Sequence, residues 1–341
     1  MRVIVDAMGS DHAPEAQVEG ALRALDSHQS LTILLAGPKS RLEAELRKHG
    51  AGTGDRLGIL DAPQVIAPEE EPVQAIRNKK ESSMVRSLRE LGRGEAAAAV
   101  SAGNTGALLA GGLFICGRIR GVRRPALATI MPTLTGDGML FLDLGASVDS
   151  RAGDLVQHAV MGAVYAREVM NRQVPRVALL NVGEERQKGN SLLREAHEML
   201  SEREDGDLEF VGNMEGRDLF QGDLDVVVAD GFVGNVTLKV IEGTARALMD
   251  MIRSEINGNL RHQLGGALLR PAFRSVYRRM DYTEYGGAPL LGLREAVIKC
   301  HGSSNARAVQ NGIGQALFMA QRQVPRIIGS HLDRGAGDKS E

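Results

Sequence analysis

Short apolar segments recur along the chain, and each is followed by small or turn residues and then by a segment with helical periodicity. The clearest apolar segments are residues 2–5, 31–36, 96–100, 139–142, 177–180, 208–211 and 225–229. Such near-continuous apolar segments, alternating with helix-length segments, are typical of a buried and mostly parallel sheet. The pattern predicts an α/β fold with one catalytic domain over residues 1–330 and a flexible tail over residues 331–341.

Residues 245–280 interrupt this alternation, because they have helical periodicity throughout. Apolar positions spaced by four residues are interleaved there with arginines, a pattern found in helices that pack in dimers or lie on membrane surfaces. The candidate contact residues are Leu260, Leu264, Leu268, Arg261, Arg270 and Arg274. We expect a protruding helical hairpin over residues 245–285, interrupted at Gly265, Gly266 and Pro271, that contacts a dimer partner, a membrane or both.

Composition and charge exclude several classes of protein. The chain has 341 residues, a formal net charge of -2, 3% aromatic residues and no tryptophan, which argues against nucleic acid as a partner. Its two cysteines, Cys116 and Cys300, are read as reduced thiols. Neither a signal peptide nor an apolar run of about 20 residues is present in the sequence, so we expect a cytoplasmic protein.

Glycine-bearing loops follow the predicted strands, and we expect them to converge at one edge of the sheet. The loop at residues 101–106, Ser-Ala-Gly-Asn-Thr-Gly, contains no charged side chain. Backbone N–H groups at a helix N-terminus can nevertheless hold phosphate or a developing oxyanion, and glycine lets the backbone approach closely. The candidate binding residues are Asp6, Gly9, Asp11, Ser101, Gly103, Asn104, Thr105, Asp143, Gly145, Asn181, Glu184, Asp230, Gly231, Gly234 and Ser303. Ordinary helix capping explains several of these loops individually.

The motifs that usually mark nucleotide, metal or hydrolase sites are missing from the sequence. It contains no GxxxxGK[ST], no GxGxxG after the first strand, no HExxH and no GxSxG, which disfavours a P-loop kinase, a dinucleotide site, a metal site and a Ser-His-Asp hydrolase. Candidate cations and acid–base groups remain in Lys188, Lys239 and His301. This set suits a reaction in which phosphate itself attacks an activated carbonyl. Each residue also has a structural interpretation, as a solvated lysine or a capping histidine.

Six long motifs, in order along nearly the whole chain, closely resemble the bacterial phosphate acyltransferase family (PlsX). They are MRVIVDAMGSDHAP, VSAGNTGALLAGG, FLDLGASVD, LLNVGEERQKGN, GNMEGRDLFQGDLDVVVADGFVGNVTLK and EYGGAPLLGLREAVIKCHGSSNARA. The resemblance implies transfer of a fatty acyl group from acyl carrier protein to inorganic phosphate, giving acyl phosphate for phospholipid synthesis. It also implies a Rossmann-like three-layer α/β/α fold, similar to isocitrate and isopropylmalate dehydrogenases and to phosphotransacetylases.

The same resemblance implies a cytoplasmic homodimer, without a metal or organic cofactor, that associates peripherally with the membrane and feeds a membrane-bound glycerol-phosphate acyltransferase. Within it, Lys188 and Asn235 are expected to orient phosphate and polarise the carbonyl. Either His301 or the low basicity of the sulfur itself is expected to account for departure of the thiolate. Ser150 and Ala229 stand where the family often has cysteine, which excludes a cysteine nucleophile at those positions. Direct attack by phosphate on the thioester is therefore favoured.

Two rival functions remain open at this stage. The first is a phosphotransacetylase-like transferase that uses a short acyl-CoA, because it would share both the fold and the phosphate chemistry. The second is a non-catalytic membrane scaffold, although a scaffold has no need of the glycine loops. The basic fringe of the hairpin is expected to steer the acidic carrier protein or to meet anionic lipid.

Overall fold

A computed structural model describes residues 1–147, 149–203, 206–280 and 286–337 of the chain. For residues 274, 275, 277–280 and 333–337 the description is limited to the backbone. Arg274 is therefore described without its side chain, and residues 281–285 of the predicted hairpin lie outside the described residues.

The described residues form eleven strands in one sheet. The strands are β1 Arg2–Asp6, β2 Thr32–Gly37, β3 Leu57–Asp61, β4 Ala98–Ser101, β5 Ala126–Met131, β6 Met139–Leu142, β7 Arg176–Asn181, β8 Glu209–Glu215, β9 Val226–Val228, β10 Ala288–Leu291 and β11 Ala296–Lys299. Their order across the sheet is β3-β2-β1-β4-β11-β10-β5-β6-β9-β7-β8. All seven predicted strands are confirmed, β6 to the residue and the other six with shifts at their ends, whereas β3, β5, β10 and β11 were not predicted as strands.

Helices cover both faces of this sheet. They are α1 Glu15–Ser27, α2 Lys39–Lys48, α3 Pro72–Asn78, α4 Ser83–Gly92, α5 Thr105–Gly111, α6 Ala152–Met170, α7 Ser191–Ser201, α8 Gly231–Asn257, α9 Leu260–Met280, α10 Ala306–Gln321 and α11 Val324–Gly337. The predicted boundary at residue 330 falls inside α11. His331, assigned to the flexible tail by the sequence, lies 2.6 Å from an Asp207 carboxylate oxygen and 3.0 Å from an Arg167 nitrogen.

The alternation of side chains in β1 shows why helices must cover both faces of the sheet. Val3 and Val5 belong to one hydrophobic cluster, Ile4 belongs to the other, and all three are almost completely buried. Helices α1, α6 and α10 contribute to the first cluster, while α4, α5 and α8 pack on the second. A strand buried on both sides reads as a continuous apolar run, and the predicted three-layer α/β/α arrangement is confirmed.

Three antiparallel pairings divide the sheet into two halves that run in opposite directions. β10 is antiparallel to both β11 and β5, and β5 is antiparallel to β6. The strands β1, β4 and β11 therefore finish at one edge, which we call the first edge, whereas β6, β7 and β9 finish at the opposite, second edge. The prediction that all the glycine loops converge at a single edge is wrong.

The helical hairpin consists of α8 and α9, and it begins earlier and turns earlier than predicted. The interruption lies at Gly258, and Asn259 Oδ1 accepts a hydrogen bond from the backbone N–H of His262 at 2.9 Å. The predicted interruptions at Gly265, Gly266 and Pro271 are wrong, because α9 continues through all three. A Cβ on Gly266 would lie 2.6 Å from Ile256, so this glycine allows α9 to pack closely against α8.

Candidate active site

The first edge carries three polar side chains on adjacent strands. Asp6 pairs in register with Ser101, and Ser101 pairs with Lys299, so the last residues of β1, β4 and β11 stand side by side. Ser101 Oγ donates to Asp6 Oδ2 at 2.6 Å and accepts from the backbone N–H of Gly103 at 3.1 Å. All three side chains are buried, so this polar group is built into the sheet.

The loops after these strands touch each other through glycine. A Cβ on Gly9 would lie 2.5 Å from the backbone nitrogen of Gly103. The two loops therefore approach too closely to accommodate a side chain at position 9. The backbone N–H of Asp11 donates to the carbonyl of Gly302 at 2.9 Å, which joins the loop after β11 to the same group. Close backbone contact of this kind requires glycine. The structure therefore brings the three loops together at the first edge.

The predicted residues at this edge have different surroundings. Asn104 caps α5 through a hydrogen bond of 2.9 Å from Ala107, and its amide also donates to the carbonyls of Pro68 and Glu70. Thr105 is the first residue of α5 and is exposed. Asn104 thus holds neighbouring loops in place, while Thr105 faces solvent.

Lys299 is a functional candidate that the sequence analysis missed. Burial lowers the pKa of its ammonium to about 8, an effect opposed by Cys300, Asp6 and Asp11. Burial also raises the pKa of Asp6, against hydrogen bonds from Ser101, Ser83 and the backbone of Met8. The Lys299 ammonium donates to the backbone carbonyl of Cys300. The available sequence signal was a single lysine ending an apolar segment, Ala-Val-Ile-Lys.

His301 follows directly and is exposed at the same edge. Its Nδ1 accepts from the backbone N–H of Ser303 at 3.3 Å and lies 2.8 Å from Ser303 Oγ, so the neutral ring carries its proton on Nε2. Partial burial lowers the pKa of His301; Lys299 and Lys239 act in the same direction, against Glu242. Lys239 itself is exposed and lies 2.7 Å from Glu242.

The second edge contains a loop held by Asp143. This carboxylate is completely buried and accepts backbone N–H bonds of 2.8 to 3.1 Å from Leu127, Gly145, Ala146 and Ser147. Its oxygens therefore fix the loop after β6.

Two predicted glycines pack that loop against α8, and a third predicted residue, Asp230, caps the helix. A Cβ on Gly231 would overlap Ser147 and Asp143, and a Cβ on Gly234 would overlap the carbonyl of Asp143. Asp230 caps α8 by accepting from the N–H groups of Phe232 and Val233 at 3.1 Å. Both glycines are thus required by close packing.

Lys188 lies in an exposed loop that is also anchored at the second edge. Asn181, at the end of β7, donates to the carbonyl of Lys188 at 3.2 Å and accepts from the N–H of Val182 at 2.8 Å. Gly189 has a φ of +85° and leaves no room for a Cβ beside Asn181. The side chains of Lys188 and Glu184 are exposed, so the loop presents them to solvent.

Helix α8 links the two edges. Asn235 is exposed near its start, where the amide nitrogen would lie 3.2 Å from a Cβ on Gly145. Further along, Lys239 and Glu242 come close enough to His301 to change its pKa. The helix therefore begins against the loop after β6 and reaches the loop after β11.

The hairpin exposes the apolar positions that the sequence singled out. Leu260, Leu264 and Leu268 are 73%, 64% and 84% exposed, and Arg261 and Arg270 are exposed beside them. In the part of the chain that the structure describes, no helix combines the length and the apolar character needed to cross a membrane. The described side chains also include no group of three or more His, Cys, Asp or Glu arranged to hold a metal ion.

Both cysteines are buried away from solvent. Burial raises the pKa of the Cys116 thiol to about 12 and that of the Cys300 thiol to about 11. Because the thiolate is the nucleophilic form, neither cysteine is activated for acyl transfer near neutral pH.

Comparisons with known proteins agree on a family. The chain matches the family model described as "Fatty acid synthesis protein" over residues 1–327. Phosphate acyltransferase of Bacillus subtilis (strain 168) is 47% identical over 328 residues, which cover 96% of this chain and 97% of that protein. Phosphate acyltransferase of Geobacillus thermodenitrificans (strain NG80-2) is 47% identical over 334 residues, or 98% of this chain and 99% of that protein.

The fold has solved counterparts at low sequence identity. A phosphotransacetylase from Streptococcus pyogenes superposes with a TM-score of 0.64 at 18% identity and covers 94% of both chains. The EutD phosphotransacetylase from Staphylococcus aureus gives a TM-score of 0.61 at 16% identity, covering 95% of this chain and 94% of the other. These two likenesses concern the fold alone, whereas the family match and the near-full-length relatives establish that this chain is an enzyme, an acyltransferase belonging to the fatty acid synthesis protein family of phosphate acyltransferases.

Proposed function

We propose that this enzyme transfers a fatty acyl group from acyl carrier protein to inorganic phosphate, and that phosphate attacks the thioester directly. The observation that carries the proposal is a buried cation, Lys299, placed where the loops after β1, β4 and β11 meet. The name shared by its relatives, phosphate acyltransferase, supports phosphate as the acceptor. Acyl phosphate is then a precursor for phospholipid synthesis.

Phosphate binding is assigned to the first edge. Lys299 supplies a point charge that a phosphate dianion would keep protonated, because an anion nearby favours the charged ammonium. The neutral His301 ring offers its Nε2–H as a hydrogen-bond donor. Backbone N–H groups of the touching loops add donors that carry no net charge.

The chemical step needs no acylated side chain. An oxygen of HPO₄²⁻ forms a bond to the thioester carbon, and the carbonyl electrons move to oxygen in a tetrahedral intermediate. When the carbonyl re-forms, the carbon–sulfur bond breaks and its electron pair leaves with sulfur. The proton carried by phosphate ends on that sulfur, giving acyl phosphate and the free carrier thiol. A thiolate is a good leaving group, so strong general-acid help is not required.

We assign Lys188 and Asn235 to polarising the carbonyl. Both side chains are exposed, and each lies on a segment that is fixed nearby, by Asn181 in one case and by the start of α8 in the other. Donors held in position before the substrate arrives stabilise a developing oxyanion without reorganisation. Asn235 lies four residues, or about 6 Å along α8, before Lys239, and Lys239 is close to Lys299 and His301. A carbonyl beside Asn235 could therefore meet phosphate held at the first edge.

We also propose that the enzyme works as a cytoplasmic homodimer associated peripherally with the membrane. Helix α8 exposes apolar side chains at a spacing of four residues, which would provide a contact surface for a second copy of the chain. They are Phe232, Val236 and Val240, which are 48% to 62% exposed. The leucines of α9 and the neighbouring arginines would suit anionic lipid. A membrane-bound glycerol-phosphate acyltransferase would consume the acyl phosphate there.

The function can be tested with acyl carrier protein carrying palmitate. Purified enzyme is incubated with this donor, with and without phosphate, and both the released carrier and the acyl phosphate are quantified. We expect release that depends on phosphate and yields one acyl phosphate per carrier. Activity with acetyl-CoA but none with the loaded carrier would favour the phosphotransacetylase-like alternative, and no turnover of either donor would favour the scaffold. A competent acyl-enzyme trapped by acid quench would contradict direct attack.

A further inference from the structure

Four arginines lie within the seven residues 118–124, Arg-Ile-Arg-Gly-Val-Arg-Arg. This density stands out in a chain whose formal net charge is -2. Arg118, Arg120 and Arg124 are exposed, whereas Ile119 and Val122 between them are buried. The segment therefore presents its positive charges outward on an apolar base. We call it, together with Arg151, the arginine surface.

One face of α6 holds the segment in a fixed conformation. Gln157 accepts from the backbone N–H of Arg123 at 3.0 Å and donates to the carbonyl of Gly121 at 2.8 Å. Asp154, which is almost fully buried, pairs with the Arg123 guanidinium, and His158 lies 3.2 Å from the carbonyl of Arg124. Positions 154, 157 and 158 are neighbours on a helix, so three successive contacts hold one loop.

The contacts with α6 neutralise one arginine of the segment and leave the charges of two others unpaired. The Arg123 charge is neutralised by Asp154, and Arg118 donates to the carbonyl of Arg123 at 2.5 Å. Within the described part of the chain, the guanidinium groups of Arg120 and Arg124 have no hydrogen-bonding or ion-pair partner. A loop that is already ordered loses little conformational entropy on binding, and its free charges attract acidic surfaces.

The arginine surface adjoins the loop that contains Lys188. A cavity of about 540 Å³ is lined by residues of both regions, among them Arg123 and Arg151 and also Ser191 and Glu195. Ser191 is the first residue of α7, three residues after Lys188. A macromolecule bound to the arginine surface would therefore lie next to the loop that carries Lys188.

We propose that the arginine surface docks the acidic carrier protein that delivers the acyl group. The inference rests on the proposed function, and it assigns carrier recognition to residues 118–124 with Arg151, in place of the basic fringe of the hairpin. Complementary charge at such a rim acts mainly on the rate of association and weakens as salt is added. Recognition of the thioester itself does not depend on this surface.

The test compares two donors on matched variants of the full chain. The double variant Arg120→Glu/Arg124→Glu removes the unpaired charges and touches none of the anchoring side chains. Arg41→Glu/Arg47→Glu, on exposed positions of α2, changes the net charge equally and serves as the control. The donors are acyl carrier protein and uncharged pantetheine, both carrying the same acyl chain.

We expect kcat/KM for the loaded carrier to fall about tenfold at low salt in the first variant, and less in high salt. With acyl-pantetheine its kcat/KM should stay within about twofold of the parent, as should the control variant with either donor. Equal losses on both donors, an unchanged kcat/KM for the carrier, or an altered oligomeric state would each overturn the inference. A parent enzyme that does not use the carrier at all would instead refute the proposed function.

Discussion

Replacing Lys299 by methionine tests whether its charge serves phosphate binding or the stability of the fold. Burial lowers the pKa of this lysine from 10.5 to about 8. That shift corresponds to roughly 3 kcal/mol of penalty for holding the charge in the folded protein, at about 1.4 kcal/mol per pKa unit. Because the folded state binds fewer protons than the unfolded state between pH 8 and pH 10.5, the penalty is complete below pH 8 and is relieved as pH rises through that interval.

Lys299→Met should therefore not lower the melting temperature at pH 7, even though it removes a charge near Asp6. The same substitution should lower kcat/KM for phosphate by about 100-fold. A charged contact to phosphate in a buried site contributes about 3 kcal/mol, and the variant loses that contact. In the parent, kcat/KM for phosphate should fall tenfold per pH unit above about pH 8, as Lys299 loses its proton. The variant should lack this alkaline limb.

The assays are steady-state rates at varied phosphate from pH 6 to pH 10, together with thermal unfolding at pH 7. Lys80→Met, at an exposed lysine, is the matched control and should change neither quantity appreciably. The reasoning is refuted if Lys299→Met keeps kcat/KM for phosphate within threefold of the parent. A fall in melting temperature of many degrees would equally show that the lysine is part of the packing.

Three further outcomes follow from the geometry. Lys188→Ala should lower acyl phosphate formation at least tenfold with an unchanged circular dichroism spectrum, and full activity would remove this lysine from the mechanism. Gly234→Ala should lower the free energy of unfolding in urea by about 2 kcal/mol or more, because its Cβ would overlap a backbone carbonyl after β6. Gly243→Ala, in the same helix with open space around it, should instead be neutral or stabilise by up to about 1 kcal/mol; equal effects would contradict the packing argument. Leu264→Asp/Leu268→Asp should reduce sedimentation with anionic vesicles, and undiminished binding would exclude these leucines as the contact.

Hydrophobic patterning predicted which segments are buried more successfully than it predicted their direction. Met139–Leu142 was located to the residue as β6, and the other apolar segments became strands with small shifts at their ends. An apolar run looks the same whether the strand runs up or down, so the reversals at β10 and between β5 and β6 were invisible. That is why the loops were expected at one edge and are found at two.

For the candidate site, residue types predicted where loops lie close together but not which polar side chains are buried or already hydrogen-bonded. Glycines at positions 9 and 103 were predicted because they would let the backbone approach an anion closely, whereas the structure shows the two glycines packed against each other. Lys299 was missed because nothing in a single sequence says that a lysine ending a strand is buried. Asp143 was predicted as a ligand-binding residue on its loop position alone, yet its oxygens are taken by four backbone N–H groups that no spacing rule reveals.

Helix α8 physically connects the candidate active site to the helical hairpin. It is one continuous helix of 27 residues, or about 40 Å at 1.5 Å per residue. Its first turns are packed against the Asp143 loop, Lys239 reaches the surroundings of His301, and the turn at Gly258 follows about 28 Å beyond Lys239. Because α8 is continuous, it holds the turn into α9, and with it the exposed leucines of α9, at a set distance from Lys239 and the loop after β11. If these leucines contact lipid as proposed, acyl phosphate formed at the first edge would be released at a fixed distance from that contact.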